Sequence, residues 1–269
     1  MLQDVTFGQY YEAQSFVHKM DARIKLLLLI LYVVLIFVVK NFYGFLVVGA
    51  FLVLATIFSK VPIKAMLKSV KGILFLILFT VILNVFFYNA ENETILFWIV
   101  SVESLTFAGF MALRLITLVL GSMLLTLTTT PVALTDAIES LLYPLKFIKF
   151  PVHELALIMS IALRFIPTLM AEADRIIMAQ KARGADFDSG NIIKRAKAMI
   201  PVLIPLLISA FRRAEELGDA MDSRCYSSSA VRTKYKKYKL TYRDLVASIL
   251  ATASLAGVIL LNVFLAGVV

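Results

Sequence analysis

Apolar residues come in long blocks along this chain. Leu26–Val39 is almost wholly apolar, and so is Phe42–Phe58, with Lys40-Asn41 between them. Gly72–Tyr88 is a third run and Leu105–Thr128 a fourth, interrupted by Arg114. Leu245–Val268 is the last, with no charge at all. A bilayer core takes about 20 consecutive apolar residues per helix. Helices are the choice because a lone strand leaves its backbone groups unpaired in lipid. The alternation a barrel strand needs is also missing. The pattern predicts five spanning helices, the first two forming a hairpin with a very short turn.

Between the fourth and fifth runs the pattern changes. Thr130-Pro131 marks a helix start, with Thr as cap and Pro at the first helical position. Val132, Ala133, Ala137, Ile138, Leu141, Leu142 and Leu145 fall on one stripe, while Asp136, Glu139, Ser140 and Lys146 fall away from it. That is an amphipathic helix suited to the membrane interface. Pro151 opens a second helix running to about Arg183, where Gly184 is placed to stop it. A third runs from about Gly190 to Arg224, before the Ser-rich Ser227–Ser229. At 1.5 Å per residue each long helix reaches about 50 Å.

Charge gives the orientation. With the N-terminus inside, the inner loops are 1–25, 59–71 and 128–243. The first holds Lys19, Arg23 and Lys25, the second Lys60, Lys64, Lys68 and Lys71, and the third most of the remaining Lys and Arg. The outer loop Asn89–Ser104 carries Glu91, Glu93 and Glu103 and no basic residue. This is the positive-inside pattern, so the N-terminus is expected in the cytoplasm and the C-terminus outside. Two further apolar runs, Leu155–Met170 and Met199–Phe211, have a rival reading as a second spanning hairpin. Their connection would then place Arg175, Lys181, Arg183, Lys194, Arg195 and Lys197 outside, against the rule the other loops obey. Pro167, Pro201 and Pro205 would also kink them. They are therefore expected to lie along the inner face and pack on other protein.

The expected fold class is all-α and polytopic. Residues 1–128 form a membrane part of four spans, 129–240 a cytoplasmic segment with one amphipathic and two long helices, and 241–269 the last span. Composition agrees, with 61% hydrophobic residues against about 45–50% in soluble domains, and a mean hydropathy of +0.89. The net charge of +9 and pI of about 9.6 point to topology and anionic lipid headgroups rather than nucleic acid. Cys225 is alone, which excludes an internal disulfide. No secretory signal peptide is evident before Leu26.

Catalytic signatures are missing. No Gly-x-x-x-x-Gly-Lys-[Ser/Thr] phosphate loop and no Gly-x-Ser-x-Gly elbow occurs. His18 and His153 lie far apart, so structural roles are expected of them and no metal site is assigned. Glu215-Glu216 beside Arg212-Arg213 reads as ion pairs along one helix face. Arg114 inside a span is costly and a functional candidate by default. It is expected to snorkel outward or meet Asn84.

The two long helices end alike, in a small residue, an arginine and another small residue: Ala182-Arg183-Gly184 and Ser223-Arg224-Cys225. Arginine offers a rigid fork of donors for carboxylates and helix-end carbonyls. On spacing alone, two helix C-termini with favourable charge against the dipole are the simpler reading.

Several ordered motifs add to this. They are His18-Lys19-Met20-Asp21-Ala22-Arg23-Ile24-Lys25-Leu26, Thr128-Thr129-Thr130-Pro131, Pro151-Val152-His153-Glu154-Leu155, Leu163-Arg164-Phe165-Ile166-Pro167, Ala179-Gln180-Lys181-Ala182-Arg183-Gly184 and Arg212-Arg213-Ala214-Glu215-Glu216-Leu217 through Ala220-Met221-Asp222-Ser223-Arg224. From His18 to Tyr226 the chain resembles the transmembrane T component of energy-coupling factor (ECF) transporters. The resemblance implies a non-catalytic subunit of an ATP-driven vitamin or micronutrient importer in a prokaryotic cell membrane. It implies three kinds of partner: two cytosolic ATP-binding-cassette ATPases, a membrane substrate-binding S component, and lipid. It implies no cofactor in this chain, with ATP-Mg bound by the ATPases, and a coupling domain of two long crossed helices.

By resemblance Arg183 and Arg224, with Ala182, Gly184, Ser223 and Cys225 beside them, dock in the ATPase grooves. Ser223 and Cys225 depart from the usual alanine and glycine, so the two docking sites need not be equivalent. The S component would sit on the apolar faces, at Leu155, Ile158, Met159, Ala162, Leu203, Leu206 and Leu207. A dedicated cobalt or nickel importer subunit is the alternative within the family. A membrane enzyme at the inner leaflet or a scaffold is the alternative outside it.

Overall fold

The computed structural model describes residues 10–87, 95–97, 100–148, 150–187, 191–227 and 240–266. In chain order the helices are α1 (Ala22–Val38), α2 (Phe42–Ser59), α3 (Ile63–Phe87), α4 (Val102–Thr128), α5 (Pro131–Leu142), α6 (Val152–Ala182), α7 (Ile192–Asp222) and α8 (Tyr242–Ala266). A 3₁₀ helix, Tyr143–Ile148, follows α5. The all-α class holds. One small addition is a two-stranded antiparallel pair, β1 (Ile95–Phe97) and β2 (Val100–Ser101), where a plain outer loop was expected. It leads directly into α4 through a capping box: Ser104 N–H donates to Ser101 Oγ at 3.1 Å and Ser101 N–H to Ser104 Oγ at 3.2 Å.

The chain divides into two compact units. The 3₁₀ helix, α6 and α7 form one; α1–α5 and α8 belong to the other. The amphipathic helix α5 thus groups with the apolar helices. Its cap is the expected one, Thr130 Oγ1 accepting from Ala133 N–H at 3.3 Å. The stripe, however, ends earlier than its apolar spacing suggests. The α-helix stops at Leu142 and Leu145 lies in the 3₁₀ turn. Tyr143 precedes Pro144, and the proline ring disfavours α geometry in the residue before it.

In the larger unit α1 is central. Its Tyr32, Leu35 and Ile36, with Val39 just past its end, form one buried cluster with Phe45, Val48 and Leu52 of α2, Leu127 of α4 and Val258 of α8. Two close contacts fix its neighbours. Tyr32 Oη donates to the Thr117 carbonyl of α4 at 2.8 Å. A Cβ on Gly121 would fall 2.1 Å from the same ring, so only glycine fits there. α3 packs on α4 and presents Leu74, Phe75 and Leu78 outward, each more than half exposed. Such faces suit hydrocarbon surroundings.

Two polar side chains within these helices reach backbone carbonyls. Arg114 donates to the Val39 carbonyl at 3.1 Å and lies over the rings of Phe110 and Phe37. Asn262 of α8 donates to the Val38 carbonyl at 2.7 Å. Together they satisfy carbonyls left open at the end of α1. Arg114 therefore caps a helix, and the expected contact with Asn84 is not made; Asn84 donates to the Thr80 carbonyl of its own helix.

Four helices are long and apolar enough to cross a membrane: α2, α4, α6 from Val152, and α8 as far as Phe264. This differs from the expected set of five. α1 has 17 residues and the apolar part of α3, Val70–Phe86, falls in the shorter class. α6 qualifies because it runs unbroken through Pro167, so its apolar half is not cut short.

Candidate functional site: two capped helix ends

α6 and α7 are each 31 residues long, about 46 Å at 1.5 Å per residue. They pack on each other, and one acid pins them. Glu172 of α6 accepts from Ser209 Oγ and, at 2.7 Å, from Arg213 Nη2, both of α7. The expected pairing of Arg213 with the glutamates of its own helix is replaced by this cross-helix bond. An open cleft lies beside it, lined by Thr168, Ala171, Arg175, Ile176 and Ala179. Glu172 was not singled out by its sequence context. Its signal was an acid at the border of an apolar run, facing a serine and an arginine at positions 209 and 213.

The helix ends repeat one backbone device. At the end of α6, Gly184 N–H donates to the Lys181 carbonyl at 3.0 Å and Ala185 N–H to the Gln180 carbonyl at 3.0 Å. Gly184 is left-handed, φ +86°. At the end of α7, Cys225 N–H donates to the Asp222 carbonyl at 2.9 Å and Tyr226 N–H to the Met221 carbonyl at 3.0 Å. Cys225 is left-handed, φ +54°. Both are Schellman caps, with a 6→1 bond enclosing a 5→2 bond. The arginine stands at the same place in each, immediately before the left-handed residue. Ala182, Arg183, Gly184, Ser223, Arg224 and Cys225 are all exposed.

So the first motif stops its helix with glycine, and the second reaches the same geometry with cysteine. A side chain costs roughly 1–2 kcal/mol in that region. The cap uses up backbone donors and acceptors, which leaves each guanidinium projecting from a fixed stalk.

The apolar residues expected to meet a membrane partner are open or half-open. Leu155, Ile158, Met159, Ala162, Leu203 and Leu207 are exposed, and Leu206 is intermediate. Ile200, Ile204, Ile208 and Phe211 extend the exposed face of α7. A contiguous exposed face of this kind suits an apolar surface, whether protein or lipid. Among the described residues no group of three or more His, Cys, Asp or Glu comes together.

The His18–Leu26 and Thr128–Pro131 motifs meet in the other unit. Lys25, 7% exposed, donates to the Thr128 carbonyl at the end of α4 at 2.8 Å. A cation there complements the helix dipole. Asp244 of α8, 3% exposed, accepts from Asp21 N–H at 2.9 Å and from Thr241 N–H at 2.8 Å. Tyr11 N–H donates to the Leu127 carbonyl, and His18 lies between Ser15 Oγ and the Tyr11 carbonyl. These conspicuous motifs are therefore a buried knot joining the ends of α1, α4 and α8. Asp244 escaped sequence reasoning because it resembles any acid flanking a span.

Residues 13–235 match the family described as CbiQ, cobalt transport protein. The chain is 48% identical over 254 residues to the energy-coupling factor transporter transmembrane protein EcfT of Clostridium kluyveri, covering 93% of this chain and 94% of that one. It is 47% identical over 267 residues to EcfT of Ruminiclostridium cellulolyticum, covering 97% and 98%. With EcfT of Bacillus subtilis it shares 43% identity over 260 residues, covering 95% and 98%. The buried knot, the unbroken long helices and their matched ends thus lie in a chain that belongs to the CbiQ/EcfT family, the transmembrane components of energy-coupling factor transporters.

Proposed function

We propose that this chain is the non-catalytic coupling subunit of an ATP-driven micronutrient importer. Arg183 and Arg224 enter grooves on two ATP-binding-cassette ATPases, which carry the ATP-Mg. The exposed faces of α6 and α7 hold a membrane substrate-binding subunit. Closure of the ATPase pair changes the distance between the two grooves, and the helices pass that change to the bound subunit. The unit bearing α1–α5 and α8 anchors the assembly in the cell membrane, N-terminus inside, with α6 and α7 on the inner side. Loop charge supports that orientation: a spanning α6 would put basic residues of its connection to α7 outside.

The observation that carries this reading is the twin cap, which presents an exposed arginine at the same position on two different helices. Replacing both arginines by alanine tests it. Co-purification of both ATPases should be lost in Arg183→Ala/Arg224→Ala and weakened in each single variant. A double variant that still assembles and transports refutes it.

A further inference from the structure

A slot of about 290 Å³ lies between α1, α2, α4 and α8. Its lining is almost entirely hydrocarbon. Three polar side chains reach it, and each is already engaged. Lys25 donates to the Thr128 carbonyl, Thr128 Oγ1 to the Leu124 carbonyl, and Tyr32 Oη to the Thr117 carbonyl. Nothing in it is left for a polar ligand or for water, which needs two to four polar partners. Its occupant must be apolar.

The slot opens sideways. Leu54 and Phe58 of α2 and Val246 and Leu250 of α8 line it, yet remain 42–52% exposed. Both helices are long and apolar enough to span, so this mouth faces acyl chains. A cation stands beside its lining. The Arg243 guanidinium lies 5.8 Å from the Phe16 ring centroid, and Phe16 lines the slot. Lys60, exposed, follows Phe58 by two residues. Among the described residues neither cation has an ion-pair partner.

We infer that this slot binds one anionic phospholipid of the bilayer, with an acyl chain between α2 and α8 and its phosphate on Arg243 and Lys60. Charge complementarity selects the headgroup: a guanidinium forks onto phosphate oxygens, and basic residues at the membrane surface attract anionic lipid. With the N-terminus inside, the lipid comes from the inner leaflet. The site ties the start of α8 to the end of α2, beside the buried knot of Lys25 and Asp244.

Photolabelling of the full chain in phosphatidylcholine vesicles tests this. The probe is a trace of phosphatidylglycerol carrying a diazirine on one acyl chain, with adducts mapped by mass spectrometry. Label should concentrate several-fold on Phe51–Phe58 and Val246–Leu250 over the exposed Leu74–Leu78 face of α3. Ala247→Trp should fill the slot and abolish that excess while α3 labelling stays. Arg243→Gln/Lys60→Gln, a surface change, should lower the excess at least threefold. Equal labelling of slot and α3 would mean annular lipid only and would overturn the proposal. So would an undiminished excess in the double glutamine variant, or with a phosphatidylcholine probe.

Discussion

Gly184 and Cys225 occupy the same backbone position at the ends of two different helices. Each is left-handed, each follows an arginine, and each closes the inner bond of a Schellman cap. The two differ in one respect: the cysteine carries a side chain where geometry favours none. Cys225→Gly is expected to stabilise the α7 end by about 1 kcal/mol. Gly184→Ala should destabilise the α6 end by a similar amount, since nothing surrounds the added Cβ but the φ remains strained. Thermal unfolding of the purified protein reads both. Equal midpoints for Cys225→Gly and the parent would show that the cap carries no strain.

Glu172 of α6 bonds two side chains of α7. Removing it takes the acceptor from both Ser209 and Arg213, so Glu172→Ala should lower the unfolding midpoint. A double-mutant cycle with Arg213→Met should give a small but non-zero coupling, because both side chains are partly exposed and water screens the pair. Additive effects would argue against a direct bond.

The knot at the ends of α1, α4 and α8 makes a larger prediction. Asp244→Ala leaves the Asp21 and Thr241 amides without their acceptor, at a cost of about 1.5–3 kcal/mol. Asp244→Asn keeps shape and one acceptor oxygen, so it should lose less. Unfolding midpoints rank the three proteins, and equal losses for Ala and Asn would contradict the bonding described.

Acid should loosen the same region. Burial holds the His18 imidazole below its usual pKa, the bond to the Tyr11 carbonyl opposes this, and the Lys25 charge adds to it. A folded pKa below the unfolded value of 6.5 means the unfolded chain takes up the proton more readily. The contribution is complete above about pH 6.5 and is lost as pH falls through the folded value. Limited proteolysis of the Tyr11–Asp21 segment should therefore quicken from pH 7.5 to pH 5.5, and His18→Gln should flatten that slope. An equally steep slope in the variant would assign it to another group.

Gly121 packs under Tyr32, so Gly121→Ala should destabilise the apolar unit by about 1–3 kcal/mol through overpacking. Tyr32→Ala in the same chain should recover part of the loss by making room. No recovery would mean that the clash is not with that ring.

The sequence by itself determined the class, the helix order and both arginine ends. These depend on local chemistry: apolar blocks long enough for lipid, a Thr-Pro start and a glycine stop. Tertiary structure decided what neighbours decide. Only packing shows that Arg114 caps α1 at Val39, that Arg213 prefers Glu172 to the acids beside it, and that His18–Leu26 and Thr128–Pro131 form one knot through Asp244. Only backbone geometry shows Cys225 standing in for glycine. Those relationships join residues 41 to 223 positions apart, or depend on a φ angle, and spacing along the chain encodes neither.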